Sequence, residues 1–204
     1  MRDEGGSGGD WVNKGIIILC VLIFLATLPI HDYVVGNFGV VPVEVAAGAS
    51  LLTLLTSMFL HGGFVHLLGN MWYLWIFGDN VERSMGHARY AAFYLLVGLA
   101  GSLAHIASDP TSTIPTIGAS GAISGVLGAY LLLHPHNRID AITTMGVLAH
   151  VQINAKWVIG AWFVIQLFFS GFSLLGAETG VAYLAHVGGF VAGYALARLF
   201  VKRV

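Results

Sequence analysis

Ser120 stands in Pro115-Thr-Ile-Gly-Ala-Ser-Gly-Ala-Ile-Ser-Gly-Val-Leu-Gly128, a serine set among glycines where an apolar helix begins. Gly118 and Gly121 remove the Cβ atoms that would keep a second backbone away from the hydroxyl, and they permit a sharp turn from loop to helix. The hydroxyl then sits beside the unpaired N–H groups of a helix N-terminus, where negative charge is stabilised as it develops. That combination suits acyl transfer. Taken alone, the same pattern serves equally to cap a helix and pack it closely against a neighbour.

A serine becomes a nucleophile only when a neighbouring base takes its proton, and a neutral histidine is the usual base near pH 7. His186 is the candidate, in Gly180-Val-Ala-Tyr-Leu-Ala-His-Val-Gly-Gly-Phe-Val-Ala-Gly193. His66 and Asn70 are four residues apart, so on a helix they share one face. Polar and ionisable side chains in an apolar run are expensive and mark function by default, although an interhelical hydrogen bond explains either one alone. The Ser120 N–H, the Asn70 amide and the His66 ring are the candidate donors to an oxyanion. No acidic residue reaches the depth of His186: Asp109 and Glu178 fall in loops on its side, and Asp79, Glu82 and Asp140 fall on the other. A Ser120–His186 dyad is therefore the simplest arrangement, and it calls for no cofactor and no metal. His61 is expected to be a loop contact near the surface, and His105 an interfacial residue.

The elements that must carry these groups are membrane helices. Of 204 residues 57% are hydrophobic and 9% charged, and the mean hydropathy of +0.82 lies far outside the range of a soluble domain. Apolar runs at 15–30, 64–77, 90–107, 117–133, 157–175 and 180–201 give six spans, each of bilayer length or somewhat shorter. The stretch 51–60, with Thr53, Thr56 and Ser57, is too short to cross and is expected to lie at the interface or re-enter. The segment between the first two spans either shields a site from the side or simply packs. The fold class is thus an all-α membrane protein, with residues 1–13 a disordered cytoplasmic tail and 14–204 one six-helix domain. The first run has no small-x-small cleavage site after it and is expected to remain as a helix, not a cleaved signal.

Orientation follows from the nine Lys and Arg residues. Arg2 and Lys14 precede the first span, Arg83 and Arg89 follow the second, Arg138 and Lys156 follow the fourth, and Arg198, Lys202 and Arg203 end the sixth. The other loops hold none, so both termini are expected in the cytoplasm and the fourth and sixth spans enter from outside. From Ser120 to Leu133 a helix rises roughly 20 Å against a hydrocarbon core of about 30 Å, which leaves Ser120 roughly 10 Å below the outer surface. His186 lies about 9 Å below Gly180 on the same rise, at matching depth. Ala185, Gly189 and Gly193 form one small-residue stripe and Gly121 and Gly125 another, letting the two helices approach. Trp72, Tyr73 and Trp75 are expected to face lipid, Glu82 and Arg83 to make a cap or loop salt bridge, and Cys20 to be an inert small hydrophobe. A near-neutral pI of 6.7 without a basic cluster argues against nucleic-acid binding.

Six spans, His66-x-x-x-Asn70 on the second, Gly118-x-Ser120-Gly121 opening the fourth and Ala185-His186-x-x-Gly189-x-x-x-Gly193 on the sixth resemble the rhomboid family of intramembrane serine proteases. The resemblance runs from about Gly15 to the C-terminus. It implies a rhomboid-like six-helix bundle with a membrane-embedded first external loop. It also implies cleavage of single-pass transmembrane proteins within or beside their membrane segment, with Ser120 and His186 as dyad and His66 and Asn70 at the oxyanion. The fifth span and the loop before the sixth would govern substrate entry, and the setting would be a bacterial inner membrane. The chain departs from some relatives in two places. Ser124 stands where an aromatic packs on the catalytic histidine, so another contact must orient His186, and Arg83 follows Glu82 directly where others have Glu-x-Arg. The rivals are a catalytically silent relative that binds or escorts membrane proteins, a haem or metal protein using His61, His66, His105 and His186, and a channel or transporter. The first must explain why both dyad residues are present. The second lacks an HExxH motif, and the third lacks buried charges and paired broken helices.

Overall fold

The computed structural model describes residues 9–143, 149–175 and 180–202. The chain runs through α1 (Trp11–Thr27), a 3-10 turn at Leu28–Ile30, α2 (His31–Phe38), α3 (Pro42–Ala46), α4 (Thr53–Thr56) and a second 3-10 turn at Ser57–Phe59. It continues through α5 (Phe64–Met85), α6 (His87–Ser108), α7 (Ser120–Leu133), an antiparallel hairpin of β1 (Arg138–Thr143) and β2 (Ala149–Asn154), α8 (Ala155–Leu174) and α9 (Tyr183–Phe200). Long helices thus stand at each of the six apolar runs. By length and composition 11–38, α6 and α8 are able to cross a membrane, and α7 is a shorter apolar helix.

Helix α7 is the axis of the bundle. Every residue from Gly121 to Tyr130 is buried, the signature of a helix that is apolar all round and enclosed by others, here α5, α6 and α9. It ends at Leu133 because Pro135 cannot continue the ladder. Helix α1 begins at Trp11, ahead of the apolar run, because Asn13 is drawn into the bundle: its amide donates to the Leu74 carbonyl at 3.0 Å and accepts from the Tyr90 hydroxyl at 2.7 Å. A Cβ at Gly78 would collide with that amide. Residues 1–8 of the expected tail, with Arg2, lie outside the described residues, as do Glu178 and Arg203.

The segment between α1 and α5 is a brace for the start of α7. Val40 and Thr116 exchange backbone hydrogen bonds at 2.9 and 2.8 Å, and the Gly118 N–H donates to the Ser57 carbonyl at 2.9 Å. His105, near the end of α6, holds the Thr116 hydroxyl at 3.0 Å. The stretch 51–60 is α4 plus a 3-10 turn, with Leu51, Leu52 and Leu55 exposed and Ser57 and Met58 buried.

One feature departs from an all-α expectation. The β1–β2 hairpin joins α7 to α8, with Arg138 opposite Asn154 and Asp140 opposite Gln152. Gln152 donates to Asp140 at 3.0 Å and accepts from Arg138 at 3.2 Å. A segment that leaves the helix bundle must pair its own backbone groups, and two short strands with polar cross-strand partners do so.

Candidate active site

The lead-in to α7 presents Ser120. Gly118 has φ +135°, a conformation side chains rarely adopt, and a Cβ there would meet the His66 ring at 2.9–3.0 Å. Only glycine lets the His66 ring lie against this turn. Ser120 opens the helix, so its N–H belongs to the first turn, which has no intrahelical acceptors. Ser124, one turn on, donates its hydroxyl to the Ser120 carbonyl at 2.6 Å and so points back along its own helix.

His186 reaches Ser120 because α7 and α9 touch backbone to backbone. A Cβ on Gly189 would overlap the Gly121 carbonyl, and one on Gly193 would overlap the Gly125 carbonyl. At that separation His186 Nε2 lies 2.8 Å from Ser120 Oγ. The other ring nitrogen, Nδ1, lies 2.8 Å from Gln166 Oε1 on α8. Trp162 and Tyr183 flank the imidazole, each with its ring centroid 6.1 Å away.

Across from the pair, α5 brings His66 and Asn70 to one wall of a cavity of about 210 Å³ that Ser120, His186, Tyr73 and Trp162 also line. The Gly62 N–H donates to His66 Nδ1 at 3.3 Å, so in the neutral ring the proton sits on Nε2, the nitrogen that faces the Gly118 turn. Asn70 Nδ2 is buried and has no partner among the described residues. A hydroxyl in hydrogen-bond contact with an imidazole, beside a buried amide donor unpaired among the described residues, is an arrangement able to support acyl transfer.

The structure therefore brings together all four residues singled out by spacing, Ser120, His186, His66 and Asn70. It also adds a neighbour that spacing did not. Gln166 is 7% exposed within an apolar helix, and an amide in that setting was itself a signal, because a buried polar group must find a partner. Two expectations are corrected. Tyr73 lines the cavity and packs against Trp162 at 6.4 Å, while Trp72 and Trp75 are exposed. His61 is 2% exposed, with its ring edge-on to His66 at 5.3 Å, because the turn into α5 folds inward under α2. His105, expected at the interface, is half-buried and bonds the Thr116 hydroxyl. Among the described residues no three His, Cys, Asp or Glu side chains converge as metal ligands would.

Residues 48–203 match the model of the Rhomboid domain. The chain is 34% identical over 157 residues to the rhomboid protease GluP of Bacillus subtilis (strain 168), which covers 77% of this chain and 27% of that protein. It is 32% identical over 150 residues to RHOMBOID-like protein 5 of Arabidopsis thaliana, covering 74% of this chain and 44% of the relative. RHOMBOID-like protein 4 of the same plant is 34% identical over 159 residues, with 75% and 35% covered. The chain thus spans less than half the length of each of these relatives. Apolar helices long enough to cross a bilayer, a domain match over most of the sequence and backbone-close packing of α7 on α9 lead to one assignment: this chain is an integral membrane protein of the rhomboid family.

Proposed function

We propose that this protein is an intramembrane serine endopeptidase that cleaves single-pass transmembrane proteins within or next to their membrane segment. The observation that carries the reading is the 2.8 Å contact between Ser120 Oγ and His186 Nε2 at the edge of a cavity. His186 Nε2 takes the hydroxyl proton as Ser120 Oγ attacks the scissile carbonyl carbon. The carbonyl oxygen becomes the oxyanion and accepts from the Asn70 amide, the His66 Nε2–H and the Ser120 N–H. His186 then passes its proton to the leaving amide nitrogen, the C–N bond breaks, and an ester on Ser120 remains. A water in the cavity, deprotonated by the same imidazole, hydrolyses that ester and restores the hydroxyl. A relative that carries the name of a protease supports this chemistry.

In this reading α1, α5, α6, α8, α9 and the shorter α7 all span the bilayer, and both termini are cytoplasmic in a bacterial inner membrane. The cavity opens toward the outer surface. The exposed leucines of 51–60 rest in the outer leaflet, so that the segment bracing Ser120 is also anchored in lipid. Co-expression with a panel of tagged single-pass membrane proteins tests the proposal. Cleavage is expected with the native chain and absent with Ser120→Ala and with His186→Ala, and fragments that persist in both variants would refute it. An alkyl fluorophosphonate should label the native chain and not Ser120→Ala.

A further inference from the structure

The proposed dyad leaves one question: what holds the imidazole so that the lone pair of Nε2, and not an N–H, faces Ser120. A neutral imidazole has two tautomers, and only the one protonated on Nδ1 is a base toward Oγ. Ser124 makes no contact that would choose between them, since its hydroxyl bonds the Ser120 carbonyl. Gln166 sits on the other side of the ring, with Oε1 2.8 Å from Nδ1. Its place is set by the helix that carries it. Ala155, Ile159, Gln166 and Ser170 are the buried residues of α8 and repeat at helical spacing, so the amide is on the face that packs against α9. Trp162, one turn before Gln166, packs on Phe190 of α9 and keeps that face in register.

We propose that Gln166 is a positioning residue: its amide oxygen accepts the Nδ1–H of His186, selecting the tautomer whose Nε2 lone pair receives the Ser120 proton. The inference rests on the proteolytic reading above and deepens it, replacing a dyad by a relay of Gln166, His186 and Ser120. The amide differs from a carboxylate in what it offers. It orients the ring and accepts one hydrogen bond but carries no charge to set against the imidazolium formed in the reaction. It also spares the apolar bundle the cost of a buried anion.

Purified native protein in detergent micelles, Gln166→Met and Gln166→Glu are compared for the rate of labelling by an alkyl fluorophosphonate, with saturation resolved from the limiting rate. Met keeps the volume and removes the acceptor, whereas Glu restores an acceptor oxygen at the same reach. The limiting rate is expected to fall about 10- to 100-fold in Gln166→Met, less than the roughly 10⁴-fold loss for a tautomer-fixing carboxylate. Half-saturation should stay within about twofold, and Gln166→Glu should recover most of the rate. Nitrogen-15 spectra of histidine-labelled protein give a second readout that needs no catalysis. The His186 resonances, identified by their loss in His186→Ala, should report protonated Nδ1 in the native chain and a mixture of tautomers in Gln166→Met. Gln166→Met that labels at the native limiting rate, or a native His186 protonated on Nε2, overturns the inference alone. A native chain that does not label while His186 shows Nδ1–H overturns the proteolytic reading instead.

Discussion

Where α1 begins, the Glu82 carboxylate is fully buried and every role it has is filled. It accepts from the Val12 N–H at 3.1 Å, the Asn13 N–H at 2.7 Å and His87 Nδ1 at 2.6 Å, and Trp11 lies over the His87 ring at 4.6 Å. Beside the start of α7, by contrast, Asn70 Nδ2 is buried and has no partner among the described residues. A carboxylate near the end of α5 that satisfies two N–H groups in the first turn of α1 is a fastener, since such donors are otherwise orphaned. An unpaired donor at a cavity wall is the opposite: it weakens the fold slightly and fastens nothing. One end of the molecule therefore uses its buried polar groups to fasten a helix, and the other leaves the Asn70 amide unpaired among the described residues at the wall of the cavity.

Two substitutions sharpen or break that contrast, and three more test the packing around it. Asn70→Ala should lower the limiting rate of fluorophosphonate labelling by about 10²-fold, the loss typical of one oxyanion donor, while stability stays within about 0.5 kcal/mol. A fall in thermal midpoint with the rate unchanged would make Asn70 a fastener like Glu82. Glu82→Ala should behave in reverse, costing about 3 kcal/mol in denaturant unfolding while the folded fraction labels at the native rate. Equal losses in both assays would show that the two ends are not separable.

Gly193→Ala should cost about 1–3 kcal/mol because the new methyl meets the Gly125 carbonyl. Gly160→Ala on α8, where a Cβ meets nothing within 4 Å, should be neutral or stabilising by up to about 1 kcal/mol. Unfolding midpoints of the two variants in one detergent decide the point, and similar losses would refute the close-contact account of α7 and α9.

The smallest effect concerns His61, in the turn before α5. Its burial, and then the neighbouring His66, push its pKa down from 6.5 to about 4. Above pH 6.5 the ring is neutral in folded and unfolded chains alike, and its contribution is flat. Between 6.5 and about 4 the unfolded chain binds a proton that the folded one refuses, so stability falls as pH falls. The native thermal midpoint should drop by several degrees between pH 7 and pH 5, and His61→Gln should flatten part of that slope. An unchanged slope would mean that His61 is solvated in the folded protein.

How far the sequence reached differs from residue to residue. His66 and Asn70 share a wall because four residues make about one helical turn, and that relation is local. Ser120 and His186 were paired by depth, a count of residues from each end of a helix, and the glycine stripes supplied the close approach. The amide of Gln166 in an apolar run signals that a partner is needed, but nothing local says that the partner is His186, 20 residues away. Tyr73 was misjudged for the same reason, since Trp72 and Trp75 beside it do face outward. The brace between Val40 and Thr116 joins segments far apart in the chain, and only their pairing reveals it.

What the chain determined by itself were the quantities that depend on near neighbours: which runs are apolar, how long each is, which small residues recur at one-turn spacing and how far along its run each polar side chain sits. Rotation of a helix about its axis is another matter. It is settled by which side chains fit into which neighbours, and it alone decided that the His186 imidazole stands between a hydroxyl and an amide, each 2.8 Å away. Depth is counted along one helix, whereas facing is a property of three helices packed together.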